Sequence, residues 1–414
     1  MLYHTNRKQK GDAMHHVVII GGGYGGLKAL GVLAGRKGIK VTLVDRHPYH
    51  FLQTEGYDLI AGKVPFDSTI IGLRSLCAGF ADNVEFLHAV AKDVDFDKKM
   101  VLFEEGEPLS YDYLIIAAGA VTRFFESIEG LRNYSYGVKS LRGALKLKEF
   151  FEQELYKRLE SASHAKECYS ILIGGAGLSG VEIAAEMQAY FNRYYRSNAL
   201  ACGKLRIHLV SGGETILKGL HPSVAKAATK RLRDLGVILH RGSHIVKVEE
   251  KAAILENGES VPFDFMIFTG GIEAAPFVKA LEAEHNRIGQ LVVNSFLQIP
   301  GHEEVYAVGD AADLKDTAGR RVPPTAQTAE QSGVDAAENI LAHIEKRQLF
   351  VSDIKIKGLA IALGGTYAII DTGKFRIYGF AAYLGKKAIE KLYKLPLRLK
   401  AREGFARLRI CTKK

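Results

Sequence analysis

The stretch HHVVIIGGGYGGLKAL, residues 15–30, reads as a β-branched strand, a glycine-rich turn and the beginning of a helix. Its Gly21, Gly23 and Gly26 follow the spacing G-x-G-x-x-G. In such a unit the first glycine allows the tight turn and the second lets the backbone approach a pyrophosphate. The third lets the helix pack closely on the strand, so that the phosphates meet the free N–H groups of the helix N-terminus. The stretch therefore predicts a dinucleotide-binding βαβ unit.

A second copy of this unit occurs later in the chain. YSILIGGAGLSGVEIAAEM (169–187) has the same order, and Gly175, Gly177 and Gly180 lie 154 residues after their counterparts. A lone glycine motif is weak, but both copies follow an apolar strand and open a helix, which is the context that nucleotide binding requires.

The similarity extends beyond the glycine motifs. EEGEPLSYDYLIIAAGA (104–120) aligns with ENGESVPFDFMIFTGGI (256–272), and the alignment pairs Asp112 with Asp264. Two alternating stretches that precede these segments predict strands of small antiparallel layers, at residues 84–96 and 237–250. The predicted fold is α/β, with two Rossmann-like dinucleotide-binding domains that each carry a small antiparallel β layer.

The two copies differ at the end of their second strand. In the first copy Asp45 stands 19 residues after Gly26, where a carboxylate can accept hydrogen bonds from a ribose. In the second copy Ser211 occupies that place, with Glu214 three residues on. Because no acid at position 211 repels a 2′-phosphate, both NADH and NADPH stay open as substrates. The first site has the fuller signature, so we assign FAD to it and NAD(P)H to the second.

Four segments carry a resemblance to a known family. They are DRHPYHFLQTEGYDLIAG (45–62), GVEIAAEM (180–187), EEVYAVGDAAD (303–313) and RRVPPTAQTAEQSGVDAAENI (320–340). Together they resemble the type II NADH:quinone dehydrogenases, within the two-dinucleotide-binding-domain flavoproteins of the pyridine nucleotide–disulfide reductase superfamily. The resemblance covers the chain from about residue 14 to the tail, and the acid usual at position 211 and a Trp near the C-terminus are missing. It implies an FAD-binding domain at 14–140 and 290–345, an NAD(P)H-binding domain at 165–285, and a C-terminal membrane-association segment at 350–414.

The resemblance also implies roles for individual residues. Glu182 is expected to face the nicotinamide and the flavin, and Gln327 and Gln331 to bound the flavin edge and the quinone head. Lys386 or Lys387 is expected near the same pocket. The motifs and the resemblance together predict the following nucleotide-binding residues, in which Asp310 bonds the ribityl chain: Gly21, Gly23, Tyr24, Gly25, Gly26, Asp45, Arg46, Ala118, Gly119, Gly175, Gly177, Leu178, Ser179, Gly180, Ser211, Gly271, Gly309, Asp310, Thr325, Ala326 and Gln327.

Cysteine usage excludes several related chemistries. The chain has four cysteines, Cys77, Cys168, Cys202 and Cys411, and none has metal-ligand or redox-pair spacing. A disulfide reductase of this superfamily needs a close pair soon after Asp45, and a sulfide:quinone oxidoreductase needs a cysteine late in the chain beside the flavin. We therefore predict no metal site, no sulfur chemistry and a reducing compartment, with Cys168 as a small buried residue.

The net charge of +10 is concentrated in the tail, because residues 386–414 contain eleven Lys or Arg and only two Glu. At helical spacing, a basic stripe and an apolar stripe lie on different faces. The basic stripe is Lys387, Lys391, Lys394, Arg398 and Arg402, and the apolar stripe is Leu384, Ala388, Leu392 and Leu395. Pro396 is expected to divide the tail into two helices. Such helices are typical of interfacial anchors on anionic lipid, although a solvated charged face or an RNA-binding arm has similar composition.

The resulting functional hypothesis is an FAD-dependent NAD(P)H:quinone oxidoreductase that does not pump protons. It is expected in the cytoplasm, peripheral on the inner face of the cell membrane, since no uncharged apolar run reaches the roughly eighteen residues of a spanning helix. The first residues lack the apolar core of a secretory signal, and Met14 is an alternative start. No nucleic-acid partner is expected, and the oligomeric state, including a homodimer, stays open. Two alternatives share the nucleotide motifs: a soluble NAD(P)H:acceptor reductase for a ferredoxin-like protein or small oxidant, and an NADH-sensing flavoprotein.

Overall fold

The structure is a computed structural model that describes residues 14–160, 169–198 and 205–411. The basic N-terminal tail, Cys168 and Cys202 lie outside the described residues. The helices are α1 (Tyr24–Leu33), α2 (Gly56–Ile60), α3 (Leu73–Phe80), α4 (Leu131–Tyr134), α5 (Leu141–Glu160), α6 (Leu178–Asn198), α7 (Pro222–Leu235), α8 (Pro276–Ala280), α9 (Ala326–Ile344) and α10 (Phe380–Cys411).

The strands are β1 (His15–Ile20), β2 (Ile39–Asp45), β3 (Tyr49–Phe51), β4 (Ile70–Gly72), β5 (Val84–His88), β6 (Ala91–Asp95), β7 (Met100–Phe103), β8 (Leu109–Ser110), β9 (Tyr113–Ile116), β10 (Ala120–Thr122), β11 (Tyr136–Gly137), β12 (Tyr169–Gly174), β13 (Leu205–Ser211), β14 (Ile238–Arg241), β15 (Ile245–Val248), β16 (Ala252–Leu255), β17 (Ser260–Pro262), β18 (Phe265–Phe268), β19 (Ile272–Ala274), β20 (Gln298–Ile299), β21 (His302–Ala307), β22 (Leu359–Ala362), β23 (Ala368–Asp371) and β24 (Arg376–Gly379).

The first large sheet has the strand order β20-β21-β9-β1-β2-β5, and all its neighbours are parallel except β20 and β21. Its central strands are continuous apolar runs because helices cover both faces of a parallel sheet. The late strand β21 lies beside β9, and α9 packs against α1. The late segment thereby comes next to the first glycine loop, although about 280 residues separate them in the sequence.

The second sheet has the parallel order β11-β18-β12-β13-β14 and repeats the centre of the first. The equivalence includes a side-chain contact at the strand start. The carboxylate of Asp112 accepts from the backbone N–H of His16 (2.7 Å), and that of Asp264 accepts from the N–H of Ser170 (2.9 Å). The predicted pair of Rossmann-like domains and the alignment of these two aspartates are confirmed.

Each half carries a three-stranded antiparallel layer, β6-β7-β8 and β15-β16-β17, as expected. The first parts of the alternating stretches behave differently, because Val84–His88 and Ile238–Arg241 are the outer strands of the two parallel sheets. An outer strand is covered on fewer sides than a central one, so its sequence alternates like that of an antiparallel strand. The pattern alone therefore assigned these residues to the wrong layer.

The C-terminal part forms a three-stranded antiparallel sheet, β22-β23-β24, followed by one long helix, α10. The expectation that Pro396 divides the tail into two helices is wrong, because α10 runs through it. Beyond Pro396 the helix packs on α3, where the backbones meet at Gly79 and Gly404. This packing offsets the cost of a proline inside a helix, which is about 3 kcal/mol. Among the described helices, none combines the length and apolarity needed to cross a bilayer.

Candidate functional site

The first glycine loop is shaped by backbone contacts on one side and is open on the other. Gly21 has a φ of 114°, and a Cβ there would overlap the carbonyl oxygen of Ala117. A Cβ on Gly26 would overlap the carbonyl oxygen of Gly21, so helix and strand could not pack as closely. A Cβ on Gly23 would meet no atom within 4 Å. This open side lies at the N-terminus of α1, as the approach of a pyrophosphate requires.

Asp45 lies at the end of β2 beside this loop. Its Oδ2 accepts from the N–H of Gly22 (2.6 Å) and its Oδ1 from the N–H of His47 (2.7 Å). Burial raises the pKa of Asp45, although these two backbone donors oppose the shift. The carboxylate is thus fixed at the place where the sequence predicted a ribose contact, and the cradle fits the FAD that we assigned to it.

The second loop repeats this arrangement at the start of α6. A Cβ on Gly180 would overlap the carbonyl oxygen of Gly175, whereas one on Gly177 would meet no atom within 4 Å. The Ser211 hydroxyl donates to the carbonyl of Gly213 (2.9 Å), so it is engaged within its own turn. The loop fits a second dinucleotide, and its ribose end lacks the fixed carboxylate found at Asp45.

Asp310, in the motif at residues 303–313, pairs with a lysine at the first nucleotide site. Asp310 pairs with Lys139 at 3.1 Å, and both side chains are about four-fifths buried. The N–H of Gly309 donates to the hydroxyl of Ser332 (3.0 Å), which holds this turn against α9. A Cβ on Gly333 of α9 would overlap the carbonyl oxygen of Gly25, so the two helices meet backbone to backbone. Sequence reasoning missed Lys139, since no motif surrounds it and its partner is 171 residues away.

The side-chain amides of Gln327 and Gln331 bind the backbone of the segment that precedes β22. The amide of Gln327 donates to the carbonyl of Gly358 (2.7 Å) and accepts from the N–H of Lys357 (3.1 Å). The amide of Gln331 donates to the carbonyl of Lys355 (3.0 Å) and accepts from its N–H (3.1 Å). The two side chains therefore fix the segment that enters β22. Their expected contact with flavin and quinone stays a prediction.

Thr325 is the extended residue that immediately precedes α9. Its hydroxyl accepts from the N–H of Thr328 (3.2 Å), which caps the helix immediately before Ala326. The first turns of α9 pack against Gly25, since a Cβ on Gly25 would lie 3.1 Å from the carbonyl oxygen of Ala329.

The turns after β9 and β18 join the two halves. Gly119 has a φ of 71°, and its carbonyl accepts from the N–H of Ala275 (3.1 Å). The carbonyl of Gly271 accepts from the N–H of Arg123 (3.1 Å), and β10 pairs with β19 between these bonds. The predicted residues Ala118, Gly119 and Gly271 therefore stand where one half meets the other.

Glu182 on α6 is buried beside the C-terminal helix. Its Oε1 accepts from the N–H of Ala362 (2.8 Å) and lies 3.5 Å from the ammonium of Lys386. Burial raises the pKa of Glu182, and Lys386 opposes this shift. Of the two lysines considered from the sequence, Lys386 is the one that contacts Glu182; Lys387 binds Asp58 at 2.6 Å.

Two aromatic contacts that the sequence did not reveal tie the segment after Asp45 into the site. The hydroxyl of Tyr57 lies 2.6 Å from that of Ser179, beside Leu178 at the start of α6. The ring of Tyr24 packs edge-on against His50 and tilted against Tyr393 of α10. Arg46 follows Asp45, and its carbonyl lies 3.1 Å from Nε2 of His88.

Comparison with known proteins agrees with this geometry. The family model for pyridine nucleotide-disulphide oxidoreductases matches residues 15–333. The demethylphylloquinone reductase of Synechocystis is 30% identical over 397 residues, which are 93% of each protein. The type II NADH:quinone oxidoreductase of Haemophilus influenzae is 28% identical over 391 residues, 86% of each.

Among solved structures, NDH2 from Plasmodium falciparum in complex with NADH has the same fold. The TM-score is 0.82 at 19% identity, with 96% of this chain and 98% of that chain covered. The chain therefore belongs to the pyridine nucleotide-disulphide oxidoreductase family, among the type II NADH:quinone oxidoreductases, and its cofactors are FAD and NADH.

Proposed function

We propose that this protein transfers a hydride from NADH to FAD and then reduces a membrane quinone, without moving protons across the bilayer. The net reaction is NADH + H⁺ + quinone → NAD⁺ + quinol. The observation that carries the proposal is the pair of complete dinucleotide cradles, Gly21 to Gly26 and Gly175 to Gly180, joined by the β10–β19 pairing. FAD supplies two-electron redox chemistry when bound, and the protein supplies position, charge and exclusion of water.

The residues of the first half would hold the FAD. Gly23 leaves room for its pyrophosphate at the N-terminus of α1, and Asp45 would accept from the ribose hydroxyls. Asp310, held by Lys139, would bind the ribityl chain, which places a cation beside the cofactor. The domain limits proposed are 14–140 with 290–345 for FAD and 165–285 for NADH.

The residues of the second half would bring the nicotinamide to the same place. Gly177 leaves room for the NADH pyrophosphate, and Ser179 is fixed by Tyr57 of the first half. Glu182, about one turn into α6 and buried, would orient the nicotinamide and hold charge beside it. Gln327 and Gln331 would border the quinone pocket, in part by fixing the backbone at 355–358.

The C-terminal segment 350–414 would dock the protein on the inner face of the cell membrane. Large apolar side chains of this segment are exposed and lie on its outer side: Phe375, Ile377, Phe380, Leu384, Ile389, Leu392, Leu395, Leu399 and Phe405. The predicted apolar stripe thus faces outward, which favours insertion between lipid chains. The predicted basic stripe is partly occupied, because Lys387, Lys394 and Arg398 bind the protein itself.

The test is oxidation of NADH and of NADPH by the purified yellow protein with a short-chain quinone as acceptor. Rapid quinone-dependent turnover is expected. The ratio of the NADH rate to the NADPH rate measures whether Ser211 allows the 2′-phosphate of NADPH to bind. Flavin that NADH reduces but quinone does not reoxidise would overturn the proposal. A ferredoxin-like acceptor would then be tried, since a soluble reductase shares both cradles.

A further inference from the structure

A buried network of seven charged side chains connects α2, α6 and α10. It contains four carboxylates and three ammonium groups, and all but Lys387 are at most 14% exposed. The consecutive contacts are Glu182–Lys386 (3.5 Å), Lys386–Glu390 (2.9 Å), Glu390–Lys387 (2.8 Å), Lys387–Asp58 (2.6 Å), Asp58–Lys63 (3.2 Å) and Lys63–Glu186 (2.8 Å). Lys387, 32% exposed, is the member with access to solvent.

The network is one positive charge short. Four ionised carboxylates against three ammonium groups leave a net charge of −1 in a buried place, which is costly unless a proton neutralises it. Arg231 of α7 lies nearby but binds the carbonyls of Leu363 and Gly364. The ring of Tyr383 lies beside Lys63 and Lys387, and the hydroxyl of Tyr57 is bonded to that of Ser179. One carboxyl of the network is therefore expected to carry a proton.

The contacts identify which carboxyl this is. Asp58 and Glu390 each contact two lysines, and Glu182 has both Lys386 and a backbone N–H. Glu186 has one lysine, at Oε2, and a backbone hydrogen bond from Gly364, while its Oε1 is buried without a hydrogen-bond partner among the described residues. Burial raises the pKa of both Glu182 and Glu186, whereas Lys63 and Lys387 outweigh burial and lower the pKa of Asp58. The unpartnered Oε1, which can hold a proton, distinguishes Glu186 from Glu182.

We propose that Glu186 is the proton-carrying group of this network and supplies the solvent proton that quinone reduction consumes. Resting on the proposed function, the step is a transfer from the carboxyl of Glu186 to the carboxylate of Glu182, and from there to a quinone oxygen. The two glutamates stand one helical turn apart on the same face of α6. After it has given up its proton, Glu186 is reprotonated from solvent through Lys387, the solvent-accessible end of the network.

The first experiment detects the proton without using activity. Infrared difference spectra of the holoprotein across neutral pH should contain the C=O stretch of a buried, protonated carboxylic acid. Glu186→Gln should remove this band and Glu186→Asp should shift it, whereas the exposed Glu105→Gln should leave it unchanged. A band that persists in Glu186→Gln, or that Glu182→Gln removes instead, would overturn the proposal.

The second experiment separates the half-reactions by rapid mixing. In Glu186→Gln, flavin reduction by NADH should stay within about twofold of wild type, because hydride transfer needs no proton from this network. Reoxidation by a short-chain quinone should slow by roughly a hundredfold, as for loss of a general acid, and should lose its pH dependence. An unchanged reoxidation rate and pH profile in Glu186→Gln would refute the role. If quinone fails to reoxidise wild-type flavin, the proposed function falls, while the infrared band still decides where the proton resides.

Discussion

Gly23 and Gly177 differ from the other motif glycines of their loops, since a methyl group at either would meet no protein atom within 4 Å. The space beside them is where the pyrophosphates approach the backbone. We expect Gly23→Ala to fold normally but to weaken FAD binding about tenfold or more, equivalent to about 1.4 kcal/mol. Gly177→Ala should keep its FAD and raise the KM for NADH by a similar factor. Flavin absorbance per protein and steady-state kinetics measure the two effects.

Gly26→Ala and Gly180→Ala are the matched variants, because a Cβ there would overlap the carbonyl oxygens of Gly21 and Gly175. They should lower the thermal midpoint of unfolding in addition to losing nucleotide. If Gly23→Ala and Gly177→Ala lowered the midpoint equally, packing and not ligand binding would explain the central glycines.

His50 gives the protein a stability change in mild acid. It is fully enclosed, and burial lowers its pKa to about 4. Its Nδ1–H donates to the carbonyl of Gly22 (2.9 Å), and Nε2 accepts from Tyr393 (3.2 Å), which requires the neutral ring. The unfolded chain binds more protons than the native state between pH 6.5 and about 4. The native state therefore loses stability as the pH falls through this window, by roughly 3 kcal/mol in total.

The measurement compares the thermal midpoints of wild type and His50→Asn at pH values from 7 to 5. The wild-type midpoint should fall more steeply, since only wild type has this imidazole to protonate. Parallel curves would mean that other groups, such as His208, account for the acid sensitivity.

Single residues were predictable where they belong to a short motif. Gly26 faces the carbonyl of Gly21 and Asp45 accepts from Gly22, so the spacing within the motif was enough to locate them. Lys139 and Glu186 were not located, because their partners Asp310 and Lys63 are 171 and 123 residues away. A pattern in one sequence carries no information on which distant charges meet.

At the scale of elements, the crossing of α3 and α10 depends on two glycines. A Cβ on Gly404 would overlap the carbonyl oxygen of Ser75, and one on Gly79 would overlap that of Lys400. Alanine usually stabilises a helix relative to glycine by about 1 kcal/mol, but here it should force the helices apart. We expect Gly404→Ala to loosen the end of α10, observed as faster hydrogen exchange in residues 397–411 and a lower thermal midpoint.

Gly31→Ala on α1 is the control, because this exposed position offers ordinary contact distances, the nearest being 3.6 Å to Phe80. It should raise the thermal midpoint slightly. If Gly404→Ala also raised it, the close approach of α3 and α10 would not matter for stability.

The same crossing explains why the sequence failed to predict the length of α10. A proline inside a helix normally ends or kinks it. The sequence around Pro396 does not indicate that the helix on either side of it packs on α3 and on the segment after Asp45. The central strands were predictable because both their faces are buried, which gives long apolar runs. The outer strands β5 and β14 were not, since an outer strand alternates as an antiparallel strand does.

At the scale of the whole molecule, the duplication made most of the fold predictable. Because the two copies align, both were expected to form the same kind of parallel sheet. The equivalent backbone contacts of Asp112 and Asp264 show that the likeness extends to single hydrogen bonds. The orientation of the C-terminal helix was harder to predict from the sequence. The sequence predicted a basic and an apolar stripe on different faces of an interfacial anchor; in the structure Glu55 and Asp58 of the first half bind two of the lysines, and the apolar stripe faces outward.

This orientation changes what is expected of membrane binding. If the basic stripe bound lipid, attachment would depend on anionic headgroups and would weaken as salt screens the charges. With Leu392 (76% exposed) and Phe380 (59% exposed) facing outward, apolar insertion should dominate. Burial of one such side chain contributes about 1.5–3 kcal/mol, so its replacement by a charge should weaken binding tenfold or more.

We therefore expect the holoprotein to bind vesicles containing one-fifth anionic lipid and to remain bound in about 1 M salt, where the screening length is only about 3 Å. Leu392→Glu should lower the vesicle-bound fraction at every salt concentration, while Lys391→Gln, its exposed neighbour, should lower it only at low salt. Sedimentation with vesicles measures both. If Lys391→Gln released the protein and Leu392→Glu did not, charge would hold the protein on the membrane. The apolar face of α10 would then be covered by something other than lipid, with a second copy of the chain as the first candidate to test by measuring mass in solution.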